Sequence, residues 1–139
     1  MNRGVKFRAW DKDNGCFIPF DSDEYIWLIQ SGNIQIEALD TGWIEENGDP
    51  KEVTDLNKID FELMQFTGLL DKNGKEIYEG DIVDGVIYKD GSIHIGLIIF
   101  DYNAWRIVTK GKSLELDLTE KLQIIGNKFE NPELLEQLT

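Results

Sequence analysis

One histidine, one cysteine and 27 carboxylates are the side chains from which this 139-residue chain could build acid–base, nucleophilic or metal chemistry. Histidine changes charge near neutral pH, but His94 stands alone between Ile93 and Ile95 on an expected strand. Alternation turns it away from the two isoleucines, toward solvent. No Ser- or Cys-based triad pattern accompanies it. Cys16 has no second cysteine, and with one histidine a structural zinc set cannot be assembled within one chain. Asp11-Lys12-Asp13-Asn14-Gly15 resembles the start of a calcium loop, yet Gly15, Cys16 and Ser22 stand at its fifth, sixth and twelfth positions, where the loop needs other residues. Asp21, Asp23 and Glu24 could hold a divalent ion loosely, but they read more simply as a solvated acidic loop. No Gly-rich phosphate loop or dinucleotide fingerprint occurs. The expectation is a protein that is not an enzyme, with no catalytic residues, no metal and no cofactor.

Charge narrows the partners. The net charge is −13, and residues 21–64 alone hold twelve acidic and two basic side chains. Such a surface repels phosphate backbones, whose binding is driven by counterion release onto Lys and Arg. Direct binding of nucleic acid is therefore not expected. Trp10, Trp27, Trp43 and Trp105, with Tyr78, Tyr88 and Tyr102, could stack bases only beside a basic groove; they are read as core and protein interface. Hydrophobic residues at 41% and charged residues at 29% match a soluble globular protein. The N-terminal residues, Met1 to Trp10, contain no apolar run long enough for a signal peptide or a membrane span. Together with the lone Cys16, which suits a reducing compartment, this places the chain in the cytoplasm with no membrane partner.

The elements that would position any site are mostly short strands. Residues 6–20 read as a hairpin around Asp11–Gly15, and Tyr25–Ile29 with Ile34–Ile36 as a second pair around Ser31-Gly32-Asn33. The run Glu45-Glu46-Asn47-Gly48-Asp49-Pro50-Lys51-Glu52 reads as an exposed acidic loop. From Phe61 strands dominate, with turns at Asp71-Lys72-Asn73-Gly74 and Lys89-Asp90-Gly91-Ser92. Asn73-Gly74 suits a type I′ turn, and Asn14-Gly15 is a signal of the same kind. A bulky residue at Gly74 should then cost stability, and at Gly48, inside the loop, very little. Gly80, Gly85, Gly91 and Gly96 would permit the bends of a tightly curled sheet. Near the C-terminus Asn131 can cap a helix, Pro132 fits its first position, and Leu134, Leu135 and Leu138 form a narrow apolar stripe.

Three segments carry a family likeness. Gln65-Phe66-Thr67-Gly68-Leu69-Leu70-Asp71-Lys72-Asn73-Gly74 running on to Gly80-Asp81-Ile82-Val83, the opening Lys6-Phe7-Arg8-Ala9-Trp10-Asp11 and the closing Ile124-Ile125-Gly126-Asn127-Lys128-Phe129-Glu130-Asn131-Pro132-Glu133-Leu134-Leu135 resemble, in family order along the chain, the YopX family of bacteriophage and prophage proteins. The resemblance implies a phage or prophage origin and brings no assigned reaction with it. Gly80-Asp81-Ile82-Val83 also resembles the opening of SH3-like barrels, in which the carboxylate bonds nearby backbone N–H groups; this bears on geometry rather than function. The fold expected is mainly β, of the α+β class: a small, Gly-bent β-barrel or curled antiparallel sheet, SH3-like in the C-terminal half, with an N-terminal β-hairpin lobe and a short C-terminal helix. One YopX-like unit would span 1–139, with an N-terminal lobe at 1–60, a barrel-like core at 61–126 and the helix at 127–139.

The functional expectation is a phage or prophage module that binds a host or phage protein or self-associates as a homo-oligomer. Leu134, Leu135 and Leu138 on the helix and Glu45, Glu46 and Asp49 in the acidic loop are its candidate interaction residues. Two alternatives stand beside it: an acidic decoy that mimics nucleic acid on a host protein, and a hydrolase with a carboxylate-built metal site.

Overall fold

The structure, a computed structural model, describes residues 6–19, 25–30, 33–101, 103–116 and 121–138. Asp21, Asp23 and Glu24, the Ser31-Gly32 step, Tyr102 and Leu118 lie outside the described residues, as do the side chains of Trp43 and Glu46. The chain is mostly strand, with one short helix near the C-terminus, and divides into two compact units. One is Arg8–Leu63; the other is formed by the chain on either side of it. Among the described residues no helix is long and apolar enough to cross a membrane.

In the first unit β1 (Phe7–Asp11) pairs antiparallel with β2 (Cys16–Ile18), Ala9 opposite Ile18. A meander of β3 (Tyr25–Gln30), β4 (Asn33–Glu46) and β5 (Asp49–Lys58) forms a three-stranded sheet. Ala9, Ile18 and Ile36 are buried together, with Tyr25, Trp27, Ile59 and Phe61 packed around them. Trp10 meets the edge of Phe17 at 4.9 Å, so these aromatics serve the core.

The acidic run is not a loop. β4 and β5 extend to Glu46 and Asp49, which are directly opposite each other, and only Asn47 and Gly48 turn the chain, at φ 55° and 84°. Both values lie in the left-handed region, as a type I′ turn requires. Polarity misled because this end of the hairpin is exposed, from Asn47 through Glu52, and a strand in water needs no apolar alternation. The other two Asn-Gly steps differ in the opposite sense. At Asn14-Gly15 and Asn73-Gly74 only the glycine has positive φ, because an aspartate widens each turn. Asp11 accepts the N–H groups of Asp13 and Asn14 at 2.9 and 3.0 Å, and Asp71 those of Asn73 and Lys75 at 2.8 and 2.9 Å. The expectation for Gly48 therefore reverses. Gly48→Val should destabilise by about 1 kcal/mol or more, as should Gly74→Val, because each forces a β-branched residue to positive φ. Thermal melting of the two variants checks this, and an unchanged midpoint for Gly48→Val would contradict the turn.

The second unit receives the chain through β6 (Phe61–Leu70) and pairs the far half of that strand with β7 (Glu76–Tyr78). Its main sheet is five-stranded and antiparallel, in the order β11 (Lys112–Glu115), β10 (Ala104–Thr109), β9 (Ile93–Asp101), β8 (Asp81–Ile87) and β12 (Gln123–Asn127). Of the two forms expected, barrel or curled sheet, the curled sheet is the one observed. Val83 and Val86, three residues apart, both enter the core with Ile77, Ile98, Ile107 and Leu122. Simple alternation forbids this. The register of β8 against β9 shifts between Asp84 and Val86, and the bulged Gly85 has φ 99°, with the Lys121 carbonyl oxygen 2.5 Å from where a Cβ would sit. The bulge resets the phase and bends the strand. Asp81 is buried and accepts the Tyr78 N–H at 2.8 Å, as the Gly-Asp step implied.

The C-terminal helix is one turn, α1 (Pro132–Leu135), followed by a 3-10 turn at Glu136–Leu138. Pro132 occupies the first turn as expected, but Asn131 makes no side-chain cap. Its carboxamide oxygen instead accepts the Asn127 N–H at 3.2 Å, and Asn127 in turn accepts Phe129 and Glu130 N–H groups at 3.0 and 2.9 Å. Asn127 thus organises the approach to the helix.

Candidate protein-interaction surface

Two neighbouring turns of the second unit carry Ile93, the most exposed large apolar side chain among the described residues. Tyr88 and Ser92 close the β8–β9 turn, with Tyr88 N–H donating to the Ser92 carbonyl at 2.9 Å and Gly91 N–H to the Tyr88 carbonyl at 2.9 Å. Lys110 and Gly111, both at positive φ, join Thr109 to Lys112 across the β10–β11 turn. The Tyr88 hydroxyl donates to the Thr109 carbonyl at 3.2 Å, and Lys112 Nζ lies 5.0 Å from the Tyr88 ring centre. The two turns are thereby tied together. Ile87 and Ile93 are directly opposite across the first turn and are 52% and 65% exposed. Lys89 and Lys112 line a depression with Ile87, and Lys110 one with Ile93; all three lysines are exposed.

His94 does not point freely into solvent as alternation implied. It is half-buried, its ring stacked 4.1 Å from that of Tyr88, with Nε2 2.8 Å from Ser92 Oγ. Ser92 in turn gives its hydroxyl proton and its N–H to Asp90, which hold that carboxyl below the usual range. With the hydroxyl proton spent on Asp90, His94 faces Ser92 as a donor. That is the reverse of a nucleophile and its base. Among the described residues no three His, Cys, Asp or Glu side chains converge as a metal set.

The residues expected on the interaction surface fall in two places. Leu138 is 6% exposed, in a 3-10 turn that lies against β9 of its own unit, while Leu134 and Leu135 are half-buried. Leu138 therefore has little surface left for a partner. Glu45 and Asp49 are exposed at the tip of the β4–β5 hairpin in the other unit; Glu46 is opposite Asp49 in register, its side chain outside the described residues. Sequence reasoning missed the Ile87 and Ile93 pair. The signal was present, since both lie three residues from Asp90 and so meet across its turn.

A buried carboxylate, Asp71, ties the β6–β7 turn to β12. Burial alone would raise the pKa of Asp71, but backbone N–H donors at Ile124, Lys75 and Asn73 outweigh it and hold the group below the usual carboxylate range. A depressed folded pKa contributes stability that is complete above the unfolded value, about 4, and lost as pH falls through the folded one. The melting temperature should fall on acidification below about pH 4. Asp71→Asn, already less stable at neutral pH, should show a shallower acid decline; an identical decline in both proteins would contradict the assignment.

Comparison with protein families matches residues 6–136 to the family model described as YopX protein. Among solved structures that share the fold are two of comparable length. The crystal structure of protein EF1440 from Enterococcus faecalis is 27% identical, covers 96% of this chain and 99% of its own, and superposes with a TM-score of 0.57. That of protein yopX from Bacillus subtilis is 19% identical, with coverages of 92% and 95% and a TM-score of 0.56. No curated protein matches.

Proposed function

The chain belongs to the YopX family, and from that premise we propose that it is a bacteriophage or prophage protein that acts without catalysis, as an interaction module that self-associates in the bacterial cytoplasm. The observation that carries this reading is the Ile87 and Ile93 pair, large apolar side chains exposed side by side beside two turns that are tied together. Single exposed apolar residues are ordinary, whereas paired ones with a polar rim mark interfaces. Neither a metal cofactor nor nucleic acid enters this reading, and the −13 net charge opposes the latter.

Ile87→Asp with Ile93→Asp tests it, with mass in solution and melting followed together. The expected result is a folded protein that associates at least about tenfold more weakly, with a modestly lower melting temperature because two carboxylates then face each other across the strand pair. A folded variant that keeps the mass of the natural chain would overturn it.

A second reading has its own observation. Glu45, Asp49 and Glu52 are exposed on one narrow hairpin end, where carboxylates could stand in for phosphates on a basic host protein. Binding of such a protein that free nucleic acid competes away would favour this decoy.

A further inference from the structure

We propose that the acidic tip of the β4–β5 hairpin of one copy docks on the lysine-rimmed Ile87 and Ile93 patch of a second copy. This inference rests on the self-association reading and names the surfaces that meet. Copies carrying −13 each repel one another at a distance. Association therefore needs a local surface of opposite sign to bring complementary regions together. The two turns supply it: Lys89, Lys110 and Lys112 are exposed on them against one carboxylate, Asp90, while Asp84 and Glu115 are exposed further back along the strands.

The tip supplies the complement. Glu45, Asp49 and Glu52 are exposed there, Glu46 is opposite Asp49 in register, and Lys51 is the one basic residue of the segment. A two-residue turn makes this end only two strands wide, about 5 Å from strand to strand, narrow enough to sit among lysines drawn from two turns. Pro50, exposed beside Asp49, is an apolar surface to set against the isoleucines. Symmetric pairing of two isoleucine patches would instead bring lysines against lysines. Two such contacts made reciprocally close a two-fold dimer, and contacts made head to tail give a ring or a filament.

Charge exchange tests the pairing. One variant carries Lys89→Glu, Lys110→Glu and Lys112→Glu; the other carries Glu45→Lys, Glu46→Lys and Asp49→Lys. Each alone should associate at least about tenfold more weakly than the natural chain, and mixing the two should restore association, which added salt then weakens. Where a reversal unfolds the protein, Lys→Gln at the same three positions removes the charge without adding any. Natural chains that associate, beside folded variants that associate equally well or mixtures that fail to recover, would overturn this inference and leave the self-association reading standing. A natural chain that stays monomeric would overturn both.

Discussion

Asp71→Ala should melt far below the natural protein, with a loss of about 3 kcal/mol. Asp71 is 5% exposed, and its carboxylate accepts N–H groups from two directions. Asn73 and Lys75 lie within its own turn; Ile124, at 3.1 Å, belongs to β12, 53 residues further on. Truncation leaves all three donors without their acceptor. Hydrogen bonds to a charged group are worth about 1.5–3 kcal/mol, and a buried donor left unmade costs about as much. Water can reach the two turn donors, so the larger part of the loss should come from Ile124. Asp11→Ala provides the comparison: its carboxylate, itself buried, bonds among the described residues within its own turn, to Asp13 and Asn14, whose exposed donors water can reach, so its loss should be smaller. Equal midpoint shifts for the two variants would contradict the cross-chain role of Asp71.

Gly96→Ala should destabilise by about 1–3 kcal/mol although it adds one methyl group. Gly96 lies opposite Val83 at the centre of the β8–β9 pair, and a Cβ there would overlap Ile107 Cγ2 and lie 3.3 Å from both the Val108 carbonyl oxygen and Val86 Cγ2. Its φ is ordinary, so the cost comes from packing alone. Ile107 must move within a cluster that holds the buried Val83, Val86 and Ile98. If that is the cause, Gly96→Ala should cost clearly less in an Ile107→Ala background, since the overlapping methyl is gone. Additive losses in the double variant would show that the strain lies elsewhere.

The sequence made the strands of the second unit legible because its turn residues stand at close, regular spacing and its flanks are rich in Val, Ile, Tyr and Trp. Asp81 announced its own hydrogen bond, and Pro132 the helix start. The acidic hairpin was misread because its exposed end carries no alternation, although Asn47-Gly48 is the same strong turn signal as the other two Asn-Gly steps. At Asn14-Gly15 and Asn73-Gly74 that dipeptide is overruled by the aspartate two or three residues earlier, whose carboxylate captures the turn's N–H groups. His94 could not be placed by parity because its environment comes from Tyr88 and Ser92, across and beside a turn. The interaction surface was legible only in part. Glu45 and Asp49 are exposed as expected, whereas Leu138 is covered by its own sheet, a tertiary outcome that a short apolar stripe does not reveal.

Sedimentation equilibrium of the natural chain over a wide concentration range, at low and at high salt, tests the central claim most directly. The account predicts an average mass that climbs with concentration above that of one chain, and a climb that salt suppresses. A mass of one chain at every concentration and salt would contradict it.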